Sequence, residues 1–154
     1  MSSTDFDSFA HEQHMRTAFE LAQEAADRGD EPFGSVLVRD DTVLMSDSNR
    51  VNTAGDIRRH PELHLAYRAC EEYSPAVREE MVMYTSTEPC PMCAGGMVTA
   101  GFGRVIYSVS SDEIATFTES TPGVRSRAIL GDSSDVIGGL LNDEGRQLHA
   151  DYDW

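Results

Sequence analysis

The feature that most constrains this chain is a set of metal-type donors split between two short segments, His60-Pro61-Glu62 and Glu88-Pro89-Cys90-Pro91-Met92-Cys93. One imidazole and two thiols suit Zn²⁺ and leave a fourth position open for water, provided the fold brings them to a single point. Glu62 is then left over as a proton carrier. Pro61 and Pro91 each fit the first turn of a helix, where a missing N–H costs nothing. Pro61 also biases His60 toward an extended backbone. Both donor segments are therefore predicted at helix N-termini, with unpaired N–H groups and positive helix ends facing a common centre. Such surroundings lower a thiol pKa.

Other readings of these residues account for less. A redox C-x-x-C explains Cys90 and Cys93 but not His60, Glu62 or Pro89. A closed structural zinc site wants a fourth protein ligand, and none is evident nearby. His64 lies four residues after His60, but the metalloprotease motif places Glu directly after its first His, and here Pro61 intervenes. His64 is read instead as a packing or supporting residue.

The order H-x-E, then P-C-x-x-C, is the pattern of zinc nucleobase deaminases. From about Pro32 to Ser108 the chain resembles the cytidine deaminase-like superfamily, in its guanine deaminase, cytosine deaminase and tRNA adenosine deaminase branch. The residues that carry the resemblance are Pro32-Phe33-Gly34, Asn49, His60-Pro61-Glu62 and Thr87 through Cys93. The family more often has Ala where Pro61 stands.

The resemblance implies a three-layer α/β/α sandwich around a mixed sheet of about five strands. It implies Zn²⁺ on His60, Cys90 and Cys93, with Glu62 as the catalytic carboxylate. Glu62 would take a proton from water and pass it to a ring nitrogen and then to the leaving amine. Substrate contacts are expected from Phe33 in the pocket wall, from Asn49, whose amide both donates and accepts, from Glu113, and from Trp154, with Tyr152, over the base. Turn formation by Asn49 and helix capping by Glu113 explain those two residues as well. The resemblance also implies a homodimer or larger homo-oligomer. The substrate it favours is a free base, guanine first, then cytosine or another small aminated ring, with adenosine in tRNA last. A zinc-containing binding protein and a thiol oxidoreductase are the rivals from other classes.

Composition narrows the setting. A chain of 154 residues is one domain, with no internal repeat or linker and residues 1–7 expected as a loose tail. It has no apolar run long enough to span a bilayer and no basic-then-apolar start, so a cytoplasmic location is expected and a membrane partner is not. Three cysteines make no disulfide scaffold; Cys70 is expected as a small buried residue. All 12 basic side chains are Arg against 27 acidic ones, a net charge of −15. An acidic surface without lysine resembles that of proteins from salt-loving organisms. It offers no basic stripe for a phosphate backbone, which argues against nucleic acid as a partner.

The remaining pattern gives the elements. A helix is expected over 8–28, capped by Asp7 or Ser8, with Gly29 at its end and His11 and His14 in solvent. A hairpin turns at Asp40-Asp41. A helix over 60–73 faces inward through Leu63, Ala66, Tyr67, Ala69 and Cys70. Strands follow at 81–85 and 104–109, helices at 90–100 and 110–117, a weak strand at 134–138 and a last helix at 140–150.

Overall fold

The computed structural model describes residues 4–154. Its centre is a five-stranded mixed sheet in the order β2-β1-β3-β4-β5. The strands are β1 (Gly34–Arg39), β2 (Thr42–Ser48), β3 (Met81–Thr87), β4 (Arg104–Val109) and β5 (Asp135–Ile137). β1 pairs antiparallel with β2 and β3, while β3–β4 and β4–β5 are parallel. The β1–β2 hairpin turns on Asp40 and Asp41, both with positive φ (51° and 57°), the geometry that a tight two-residue hairpin turn requires.

Helices cover both faces. On one lies α1 (His11–Arg28), with the residues that lead into α8 (Asn142–Ala150); Met15, Ala18 and Phe19 pack on Val36, Val38, Tyr84 and Ile106, and Leu140, Leu141 and Leu148 border them. The other face carries α3 (Pro61–Glu72), α5 (Pro91–Ala100) and α7 (Ser126–Leu130), whose Leu65, Ala69, Met97 and Leu130 meet Leu37, Met83 and Val105. Successive residues of a strand point to opposite faces. That is why β1 gives Val36 and Val38 to one core and Leu37 to the other. Short helices α2 (Val51–Ala54), α4 (Pro75–Arg78) and α6 (Ser111–Thr118) complete the chain. The three-layer α/β/α sandwich is as expected. Among the described residues no helix is long and apolar enough to cross a membrane.

Several local expectations are corrected. α1 begins at His11, not Ser8, because Phe6–Ser8 form a separate 3₁₀ turn and Phe9 is extended and buried. Neither Asp7 nor Ser8 caps it; the Asp41 carboxylate of the hairpin turn accepts from Ala10 N at 2.9 Å. His11 and His14 are not solvated. His14 is buried and pairs with Asp41 at 2.7 Å, and His11 Nδ1 lies 2.6 Å from the Tyr84 hydroxyl. The expected tail falls partly outside the described residues, at Met1–Ser3. Beyond them Phe6 packs on the α1-side core and Asp7 pairs with Arg104 at 2.9 Å.

In α3 the inward face is Glu62, Leu65, Ala66 and Ala69, while Tyr67 and Cys70 point outward. The apolar pattern of that helix fits two adjacent faces, and the burial of Glu62 selects between them. Gly34 matters for a helix rather than for a ligand or a neighbouring strand: a Cβ there would collide with the backbone of Ala18 and Ala22 in α1. The turns α2 and α4 and the helix α7 were not foreseen, being too short to show a period.

Candidate active site

The two donor segments converge through their helix starts. His60 is the N-cap of α3 and Cys90 the N-cap of α5, both extended, with Pro61 and Pro91 in the first turns. α3 and α5 pack closely enough that a Cβ on Gly96 would strike Leu63, so the small residues of α5 set the distance between the two helix ends. One ligand atom from each of His60, Cys90 and Cys93 lies within 4.8 Å of the other two. His60 Nδ1 is 3.6 Å from Cys90 Sγ, and tetrahedral zinc places a bound nitrogen and a bound sulfur about 3.6 Å apart. Neither cysteine is in a disulfide. The donor set and its spacing thus fit zinc.

The electrostatics follow from crowding three titratable groups at two helix ends. The Cys93 thiol and the His60 ring stabilise a thiolate on Cys90 and pull its pKa down to about 4. The same contact and burial push Cys93 up. Glu62, on the first turn of α3, is buried, and burial followed by the Cys90 charge raises its pKa to about 7 against a smaller opposing pull from His60. Its one side-chain hydroxyl neighbour is Ser35, whose Oγ lies 3.3 Å from Glu62 Oε1 and 2.8 Å from Thr85 Oγ1.

A cavity of about 210 Å³ opens onto His60, Glu62 and Cys90. Phe33, Ile114, Ala115 and Pro122 form its apolar walls, and Thr87, Ser111, Ser120 and Thr121 bring hydroxyl-bearing side chains to it. Its outer rim is the 120–123 segment, which follows Glu119 in the left-handed conformation (φ 53°) at the end of α6.

Of the expected substrate contacts, Phe33 lines this cavity. Asn49, Glu113 and Trp154 do not, and each is engaged elsewhere. Asn49 Oδ1 accepts from Val51 N at 3.0 Å in the turn that enters α2, and Asn49 N donates to Phe33 O at 2.9 Å. Glu113 completes the capping box of α6 with Ser110 and accepts from Asn142 at 3.0 and 3.1 Å. Burial would raise its pKa, but those donors and Arg146 hold it below the carboxylate norm. Trp154 stacks on the buried His149 ring (5.7 Å between centroids) and reaches Phe33 at 6.1 Å. The C-terminal aromatics therefore support the Phe33 wall of their own chain. His64 lies away from the donors, beside Arg59 and Tyr67 on a different hollow.

Sequence reasoning passed over Glu88. This carboxylate is buried and accepts from Ser111 N (2.9 Å), Ser126 N (2.8 Å), Ser126 Oγ (2.6 Å) and Arg125 Nε (2.8 Å). Burial alone would raise its pKa; these donors and the Arg125 charge outweigh burial and lower it. Glu88 so ties the Cys90 loop to the start of α6 and to the far end of the 120–123 rim. Its place inside the Thr87–Cys93 motif was a signal, but its partners are remote in sequence.

Comparison with known proteins agrees with this geometry. Residues 9–142 match the family model described as MafB19-like deaminase. The chain is 36% identical to a probable cytosine deaminase of Schizosaccharomyces pombe over 163 aligned positions, covering 99% of this chain and 97% of the relative. It is 33% identical to guanine deaminase of Bacillus subtilis over 68% of each chain. A guanine deaminase structure from Nitrosomonas europaea shares the fold with a TM-score of 0.79 at 21% identity, over 94% of this chain and 85% of that one. A family match over most of the chain, on a fold that groups His60, Cys90 and Cys93 beside a cavity lined by Glu62, places this protein in the MafB19-like deaminase family of the cytidine deaminase-like superfamily, as a hydrolytic deaminase.

Proposed function

We propose that this protein is a zinc-dependent hydrolytic deaminase of a free nucleobase. The observation that carries the reading is the cluster itself: three zinc-type donor atoms within 4.8 Å of one another, with His60 and Cys90 lining a cavity that the buried Glu62 also lines. His60, Cys90 and Cys93 would hold the ion. When bound, Zn²⁺ supplies a Lewis acid that lowers the pKa of water toward neutrality. Glu62 is the proton carrier. Ser35, fixed by Thr85, steadies its Oε1, and the scarcity of donors around it leaves the carboxylate basic enough to accept a proton and weak enough to release it to a ring nitrogen, and then to carry a second proton, from the hydroxyl added to the ring carbon, to the departing amine. Phe33 and Ile114 supply apolar surface for a planar ring.

The guanine reading rests on the motif segments and on the 33% relationship to a guanine deaminase. A second reading, cytosine, is favoured by the relationship that spans both chains almost completely. It is also favoured by the position of Glu113, turned toward Asn142 and away from the cavity, which leaves no unengaged carboxylate but Glu62 to meet a purine edge. The absence of lysine and the net charge of −15 weigh against a tRNA substrate. Exposed Ile57, Tyr67, Met92 and Val98 support self-association. The test is ammonia release from guanine, cytosine, adenine, their nucleosides and pterins, with zinc content measured on the same preparation. Full zinc with no ammonia from any of them would sink the reading, and the ratio of kcat/KM for cytosine and guanine decides between the two bases.

A further inference from the structure

Most walls of the Glu62 cavity lie on helices or at strand ends, but its outer rim, Ser120 to Gly123, lies on neither. Every residue from Glu119 to Val124 is exposed. Among the described residues, Thr121, Pro122, Gly123 and Val124 have no hydrogen-bond partner. An exposed stretch of that kind has little local stability of its own, so its position depends on its two ends.

At the α6 end, Ser120 N donates to Ala115 O at 3.1 Å and the Ser120 and Thr118 hydroxyls lie 2.6 Å apart. At the other end the anchor is Arg125. Its Nε donates to Glu88 Oε1 at 2.8 Å, its Nη1 to Asp112 Oδ2 at 2.8 Å and its Nη2 to the Tyr107 hydroxyl at 3.1 Å. One planar guanidinium therefore fixes the end of the rim to the Cys90 loop, to the first turn of α6 and to β4. Between these ends the rim passes close to Pro91 of the second donor segment, where a Cβ on Gly123 would lie 3.7 Å from Pro91 Cγ. Arg125 is also the member of this clasp that can be removed cleanly. Its side chain is 42% exposed against 1% for Glu88, and without it the buried carboxylate still accepts from Ser111 N, Ser126 N and Ser126 Oγ.

We propose that Arg125 is a positioning residue of this pocket, whose clasp on Glu88, Asp112 and Tyr107 holds the 120–123 rim where it walls the cavity, so that the base meets a preformed site. The inference rests on the deaminase reading of the cavity and adds to it the residue that sets affinity for the base. A rim that wanders must be ordered before the base is held, and the apparent affinity falls by the fraction of molecules with the wall in place. Once the base is bound the wall is in place, and proton transfer at Glu62 is unaffected. The loss therefore belongs in KM and not in kcat.

The test uses the full-length, zinc-loaded protein as wild type, Arg125→Ala, Arg125→Lys and Arg104→Ala. Arg104 pairs with Asp7 and Asp135 at the start of β4, outside the cavity, and controls for loss of a paired guanidinium elsewhere. kcat and KM are taken from ammonia release with the better substrate of cytosine and guanine. Rim order is read as the rate of cleavage between Glu119 and Val124 by a nonspecific protease, located by mass, with and without saturating base. Arg125→Ala is expected to raise KM about tenfold with kcat within about twofold, and to be cut faster than wild type until base is added. Arg125→Lys keeps the charge but not the planar fork, so it is expected to raise KM about threefold and carries the same comparison if the alanine variant does not fold. Arg104→Ala is expected to match wild type in KM and in rim cleavage. A wild-type KM in zinc-replete Arg125→Ala overturns the role of Arg125 and leaves the deaminase reading standing, and so does a loss that falls wholly in kcat. A zinc-replete wild type that releases no ammonia from either base overturns the reading of the cavity and the proposal with it.

Discussion

Two glutamates of the same site, Glu62 and Glu88, are buried to almost the same degree, 6% and 5% exposed, yet the protein moves them in opposite directions. Glu62 has one hydroxyl at 3.3 Å and a thiolate nearby, and its pKa rises to about 7. Glu88 has two backbone N–H groups, a serine hydroxyl and a guanidinium, and its pKa falls below the ordinary value. Burial penalises both ions; at Glu62 it outweighs the opposing groups, and at Glu88 the donors and the Arg125 charge outweigh it. The poorly solvated carboxylate is suited to moving a proton, and the saturated one is suited to holding loops together.

The largest expected effect breaks the first half of this contrast. Glu62→Gln should keep zinc and fold stability while lowering kcat by about 10²–10⁴-fold, the usual worth of a positioned proton carrier. Ammonia release together with metal analysis checks it, and near-normal turnover in a zinc-replete variant would remove Glu62 from the role.

His149 extends the comparison to a base. It is buried, its Nδ1 has no partner, and burial pushes its pKa down to about 4, against a smaller opposing pull from Glu113. The folded value lies below the unfolded one near 6.5, so the unfolded chain binds more protons between pH 6.5 and 4. Stability contributed by neutral His149 is complete above pH 6.5 and lost as pH falls through that window, by roughly 3 kcal/mol at most. Urea denaturation at pH 7, 5 and 4 should show a steeper acid loss for wild type than for His149→Gln. Equal slopes would mean the ring finds a partner in solution.

Glu88→Gln tests the second half. Replacing the saturated carboxylate leaves N–H donors and Arg125 poorly matched, at a cost of about 2 kcal/mol in chemical denaturation, with Glu62 and the zinc donors intact. A stability equal to wild type would show that the Glu88 bonds form no better than water would.

The smallest effect concerns the carboxylates that are neither buried nor donor-rich. They dominate the charge of −15, and molar KCl should raise the urea midpoint modestly by screening their mutual repulsion. The offset between wild type and Glu88→Gln should shrink only a little in salt, because the Glu88 carboxylate is buried while its Arg125 partner is partly exposed.

Much of the site was legible in the chain. Pro61 and Pro91 mark helix starts whatever surrounds them, since proline fixes its own φ and needs no donor. His60, Cys90 and Cys93 therefore fell at two helix ends by local rules alone, and the helix boundaries at Pro61 and Pro91 follow. The α1 start went astray because the side chain that holds the residue before it, Asp41, comes from the hairpin. Tyr67 and Cys70 went astray because a stripe of alanines and aromatics leaves the rotation of α3 open until the sheet is beneath it.

The sequence by itself determined which chemistry the protein carries: residue types, their short-range spacing and the helix starts that present them are local properties, and local sterics settle them. The tertiary structure alone decided what each acidic or hydroxyl side chain does. Glu113 and Asn49 were drawn into turns, Glu88 into a four-donor clamp, and the Ser111 hydroxyl was buried without a partner. The Asn49 turn and the Ser110–Glu113 capping box are local, but Asn142 reaches Glu113, and Arg125 and Ser126 reach Glu88, from far along the chain, and the balance of desolvation against the donors the fold delivers is contained in no stretch of sequence.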